Sequence, residues 1–227
     1  MIPRPTLADL RHCAAQFNAF RSVDTSWLRF RRVTEPAPDL GRADHRSALL
    51  TWLNSWGCRI RYPRPGEPDA YDSNVTRWWH RQSTLLPSSS ISELTAAEID
   101  ALGTAYAELA ALPVAAGPRG RTLGPTAATK ALYALRPTAV MPWDAAIAAR
   151  MYGNRDADAF VRHLTTGREW ARELLREAGT GEADLPTRIG RPAVSLAKVL
   201  DEYLYLRVRA EDSELGGDLR RTVGALA

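Results

Sequence analysis

Lysine is nearly missing from this chain. Of its 30 basic residues only Lys130 and Lys198 are lysine, and the other 28 are arginine. The bias fits a GC-rich genome, and a lysine kept in such a background invites the question of what arginine could not do there. Arginine holds its proton under all ordinary conditions, whereas lysine can lose it and become a nucleophile. Cysteine is scarce too. Cys13 and Cys58 lie far apart, form no C-x-x-C, and read as free thiols of a reducing, cytoplasmic compartment. No stretch approaches the roughly 18 uninterrupted apolar residues of a helical membrane span. The opening segment, MIPRPTLADLRHC, has no apolar core of the secretory kind. H-E-x-x-H and Cys/His clusters are both missing, so no metal is expected. Neither G-x-x-x-x-G-K-[ST] nor G-x-G-x-x-G occurs, so no nucleotide cofactor is expected, and there is no G-x-S-x-G elbow.

What remains is an ordinary globular composition. The 227 residues are 45% apolar and 25% charged, enough to bury a core without disulfides. The net charge of +4 permits nucleic-acid binding without requiring it.

Apolar periodicity predicts helices joined by Pro- and Gly-rich loops. Thr6–Asp9 opens the first with a capping-box-like start, and Thr95-Ala-Ala-Glu98 is a full capping box. Residues 23–40 read as extended or loop. Residues 61–91, with four prolines and Ser88-Ser-Ser90, read as a long surface connection that holds the cluster Arg77-Trp-Trp-His-Arg81. Helices follow Pro125 and Asp144. Two amphipathic helices are expected around Phe160 and around Trp170, and a last one from about Pro192 to Arg209. The fold class is all-α, with seven or eight helices and two lobes with a cleft between them. Residues 1–210 form one helical domain, and 211–227 read as a frayed tail.

The segment 120–152, GRTLGPTAATKALYALRPTAVMPWDAAIAARMY, carries the most information. On a helix Lys130 shares a face with Thr126 and Tyr133, away from the stripe Ala128, Ala131, Leu132, Leu135. Asp144 stands at the head of the next helix, in the positive end of its dipole. The strings Leu123-Gly-Pro-Thr-Ala-Ala-Thr-Lys130 and Met141-Pro-Trp-Asp144 resemble the helix-hairpin-helix DNA glycosylase superfamily, in its 8-oxoguanine glycosylase-like branch. The likeness spans about 33 residues. It departs from the family pattern in lacking the hairpin's second glycine, in a short Lys-to-Asp spacing of 14 residues, and in Trp143.

The resemblance implies a helical glycosylase-like fold, Lys130 as nucleophile and Asp144 as the assisting acid. The partner would be duplex DNA with a flipped base, bound by a monomer. The lysine would form a Schiff base at the sugar's anomeric carbon. Arg119, Arg121, Gly124 and Thr126 would hold phosphates. Trp78, Trp79 and Trp143 would wedge the stack or sandwich the base, with His80 beside them. Plainer roles stand next to each of these. Lys130 reads equally as a solvated lysine, Asp144 as a helix cap, the tryptophans as core, and His80 as structural. A non-catalytic binding module on the same scaffold, or a small-ligand protein using the cleft, are the rival functions.

Overall fold

In the computed structural model, which describes residues 2–20, 24–115 and 120–224 (residue 20 and residues 211–224 through their backbone alone), the chain folds into α-helices. They are α1 (Leu7–Phe20), α2 (Thr25–Val33), α3 (Ala43–Ser55), α4 (Ala70–Gln82), α5 (Ala96–Ala111), α6 (Pro125–Leu135), α7 (Ala145–Tyr152), α8 (Ala157–Ala178), the short α9 (Leu185–Arg188) and α10 (Leu196–Gly224). The only β pairing among the described residues is an isolated bridge between Pro113 and Thr122. The all-α reading therefore holds. No helix among the described residues is long and apolar enough to cross a membrane.

α5 lies in the middle, packed on α8, α6 and α4. On one side α2, α3 and α4 gather against α5 and α6. On the other, α10 runs against α1, α7, α8 and α9. Two helix clusters thus meet at α5. Trp52, Trp78, Trp143, Tyr106, Tyr203, Phe30 and Phe160 are fully buried in the core.

The local signals explain most of the helix starts. Thr6 and Asp9 cap α1 reciprocally, Thr95 and Glu98 make the capping box of α5, and Asp144 and Asp156 accept from the third residue of α7 and α8. Gly124 takes φ +80 at the N-cap of α6. A backbone clasp brings it there: Val114 N donates to Arg121 O at 2.8 Å and Leu123 N to Leu112 O at 2.8 Å.

Several expectations need correction. Residues 61–91 are not one long connection, because α4 occupies their middle. Tyr71, Val75, Trp78, Trp79 and Gln82 are its buried face, a 3.6-residue stripe between two groups of prolines. Asp69 caps it, accepting from Asp72 N at 2.8 Å. The segment left as extended or loop contains α2, which Asp24 caps through Ser26 N and Trp27 N. The two helices expected between 157 and 178 are the single α8. It passes through Gly167, where any β-carbon would come within 2.9 Å of Ile91 Cδ1. That glycine is a point of close packing. The last helix runs past Arg209 to Gly224.

Candidate functional site

α6 is buried on nearly every face, not along one stripe. From Ala127 to Leu135 every residue is buried except Lys130, which is half-buried. Its partners follow from the end of α3. Trp56 caps that helix, and Gly57 at φ +79 turns the chain away, as only glycine does freely. The Trp56 carbonyl then faces α6 and accepts a hydrogen bond from Lys130 Nζ at 2.7 Å. The same ammonium lies 5.5 Å from the centre of the Trp56 ring.

Lys198, the other lysine, lies 5.1 Å from the centre of that same ring. The chain's two lysines therefore converge on one indole from two different helices. The ring is fixed by its Nε1, which donates to Asp24 Oδ2 at 2.9 Å, and by Trp52, whose ring centre is 4.6 Å away. Tyr133 stacks at 6.0 Å.

Behind Lys198 lies a nest of buried charge built by α10. Lys198 Nζ meets Asp201 Oδ2 at 2.5 Å and stands 4.0 Å from Glu202 Oε1. Glu202 in turn takes a bidentate pair from Arg191, at 3.0 Å and 2.5 Å, and Arg191 also donates to Asn18 Oδ1 at 2.9 Å. Bidentate geometry is what makes such buried pairs tolerable. Burial pushes the carboxyls of Asp201 and Glu202 up, and Lys198 draws both back down in part. Burial also opposes the Lys198 charge, but Asp201 and Glu202 outweigh it and hold the proton on that amine. The charges of both Asp144 and Lys130 act on Asp201.

Asp144 is half-buried, and its Oδ1 accepts from Ile147 N at 2.9 Å. The residue also lines a cavity of about 320 Å³ with Ile147, Tyr205, Val208 and Arg209. One wall of it is a stack, Arg209 over the Tyr205 ring at 4.5 Å. Such a stack can hold a flat ligand, and the carboxylate can accept its N–H groups.

The other expected site residues scatter. Trp78 and Trp143 are in the core, 0% and 1% exposed, and Trp79 is buried with its Nε1 on Asp39 Oδ1 at 2.8 Å. Trp143 packs edge-on to Tyr106 and Phe160. None of the three presents a face to an outside ligand. For Trp78 and Trp79 the reading of 61–91 as a loop hid this, because the element that carries them is α4. His80 is exposed on α4. Gly124 and Thr126 are half-buried at the start of α6, and Arg121 is exposed. Arg119 lies outside the described residues. Trp56, Lys198, Asp201, Glu202 and Arg191 were not expected at the site. For Lys198 the signal was present, since it is as rare here as Lys130.

Among the described residues no group of three or more His, Cys, Asp and Glu is placed to hold a metal ion. Comparison with protein-family models, with curated proteins and with solved structures finds no match.

Proposed function

We propose that this chain is a DNA-binding protein of the glycosylase kind, which removes a modified base through a Schiff base on Lys130 with Asp144 assisting. The observation that carries the reading is the convergence described above. Both lysines of an arginine-rich chain meet at Trp56, and Lys130 and Asp144 both act on Asp201. Attack requires the amine in its neutral form, and a neutral amine can donate one N–H to the Trp56 carbonyl and still have its lone pair.

The chemistry balances on these groups. Lys130 Nζ forms a bond to the sugar's C1′ while the C1′–base bond breaks, and the bonding pair leaves with the base. The amine loses a proton and the departing base gains one. A carboxylate at the site can carry that proton and stabilise the positive charge developing on the sugar. The cavity beside Asp144 has room for a base turned out of the duplex, between the Tyr205–Arg209 wall and the carboxylate.

The hydrogen bond from Lys130 to a backbone carbonyl also favours a second reading, a non-catalytic nucleic-acid-binding module in which Lys130 ties α6 to α3. One experiment separates the two. The protein is mixed with a duplex carrying one abasic site, borohydride is added, and covalent adducts are sought on a denaturing gel. At an abasic site the amine condenses with the sugar aldehyde and releases water, so the identity of the base is not needed. A covalent adduct in the wild type and in Lys198→Arg, lost in a folded Lys130→Arg, is the expected result. Salt-sensitive binding without an adduct would leave the binding module. Neither binding nor adduct would sink both.

A further inference from the structure

The loop that carries Trp56 into the site holds a second unusual backbone. Two of three consecutive residues, Gly57 and Arg59, have left-handed φ, +79 and +53. Among the described residues Arg59 is the only non-glycine with positive φ. A side chain there crowds the following carbonyl, and arginine has no local hydrogen bond that offsets this as asparagine can. Glycine would satisfy the turn better.

The turn is nonetheless held firmly. Asn54 clamps it from both sides, its Nδ2 donating to Ile60 O at 2.9 Å and its Oδ1 accepting from Ile60 N at 2.7 Å. Cys58 N donates to Leu53 O at 3.1 Å. Arg59 is exposed, and its side chain makes no hydrogen bond or ion pair among the described residues. Its neighbour Arg61, by contrast, is paired with Glu67. Arg59 belongs to the same loop as Trp56, whose carbonyl accepts from Lys130 Nζ. Burial pushes up the thiol of Cys58, the residue before Arg59, and the Lys130 charge opposes this in part.

A strained, clamped, unpartnered cation on the loop that holds Lys130 reads as function, since nothing in the fold rewards it. We infer that Arg59 is a binding residue that grips a backbone phosphate of the nucleic-acid strand whose sugar is presented to Lys130. The inference rests on the DNA-binding reading above. It gives Arg59 a positioning task, because phosphate contacts set the register of a strand and read no sequence.

The test is the affinity for a fluorescent duplex with one abasic site, measured by anisotropy across a range of salt. Wild type is compared with Arg59→Gly, Arg59→Lys and Arg61→Gln. Each phosphate contact contributes about 0.9 to the slope of log affinity against log salt. Arg59→Gly is expected to bind about tenfold more weakly at low salt and to lose about one unit of slope. Its melting temperature should hold or rise, because glycine relieves the backbone. Arg59→Lys should keep the slope. Arg61→Gln removes the same charge from a paired arginine and should leave both quantities nearly unchanged. Equal losses in Arg59→Gly and Arg61→Gln would reduce Arg59 to general charge and overturn the inference. So would an unchanged slope in Arg59→Gly, or a lower melting temperature, which would make the side chain structural. A wild type that binds with no salt dependence would instead remove the DNA reading, and the role of Arg59 with it.

Discussion

Asp144 serves two masters through one carboxylate. It closes the first turn of α7 by accepting from Ile147 N, and it lines the cavity with Tyr205 and Arg209. Capping needs only an oxygen, so asparagine does it about as well as aspartate. Asp144→Asn should therefore melt with the wild type, and Asp144→Ala should lose about 1 kcal/mol of stability in a denaturant titration. If adduct formation or base excision also falls in the Asn variant, the charge has a chemical task. If it persists, Asp144 is a cap and the assisting acid lies elsewhere, with Asp201 next in line. The same economy appears at Trp56, where one residue ends a helix, holds Lys130 by its carbonyl, and offers its ring to both lysines. Both uses of Asp144 were legible in the sequence, but that of Trp56 was not. A cap is a local pattern, but what else the capping residue touches depends on helices far away in the chain.

At the scale of elements, α5 packs tightly on α8 at Gly103. A β-carbon on Gly103 would stand 2.5 Å from Val161 Cγ2, well inside contact distance. Valine in a helix has one strongly preferred rotamer and cannot swing aside, so the helices themselves would have to part. In an open helix Gly→Ala is worth up to about 1 kcal/mol of propensity. Overpacking typically costs about 1 to 3 kcal/mol. Gly103→Ala should thus be destabilised in chemical denaturation, against the usual trend. Adding Val161→Ala should restore much of the loss, and failure of that rescue would locate the penalty elsewhere. α4 makes a related point. Its stripe Tyr71, Val75, Trp78, Trp79, Gln82 was visible in the sequence, yet prolines on both flanks made the region read as loop. Prolines there mark the ends of a helix and say nothing against its middle.

The molecule as a whole carries ionisable groups inside, and this sets its response to pH. His163 is fully buried against Trp143, with its Nδ1 3.2 Å from Tyr152 Oη. Burial lowers its pKa to about 3 from the ordinary 6.5, although the carbonyls of Pro142 and Met141 pull slightly the other way. The sign follows from proton uptake. Below pH 6.5 the unfolded chain takes a proton on this ring that the folded chain refuses. Stability should fall with pH from 6.5 towards 3, by up to about 1.4 kcal/mol per unit from this group. Asp201 and Glu202 act in the opposite sense, since burial raises their carboxyls and their cost grows as pH rises through the carboxylate range. Comparing wild type with His163→Phe cancels those groups. The variant should show a flatter decline in melting temperature between pH 6.5 and 5, whatever its absolute stability. An equal decline in both proteins would mean that His163 is protonated in the folded state or that another group governs the acid limb.

Much of this protein was determined by sequence alone. The all-α class, the helix starts at Thr6, Thr95, Pro125 and Asp144, and the unusual standing of lysine all follow from neighbours within a turn or two of helix, where hydrogen bonds and periodicity act. Which residues make up the site was decided by tertiary structure. Lys130 and Trp56 are 74 positions apart, Lys198 comes from another helix again, and Arg191 reaches back to Asn18 across 173 positions. Burial was decided there too. Trp78 and Trp143 could be core or contact by sequence, and only the packing of α4, α5 and α8 around them removed them from the surface. Short-range patterns report backbone geometry. The solvation and pairing of a charge depend on every element that covers it, and those elements meet only when the chain has folded.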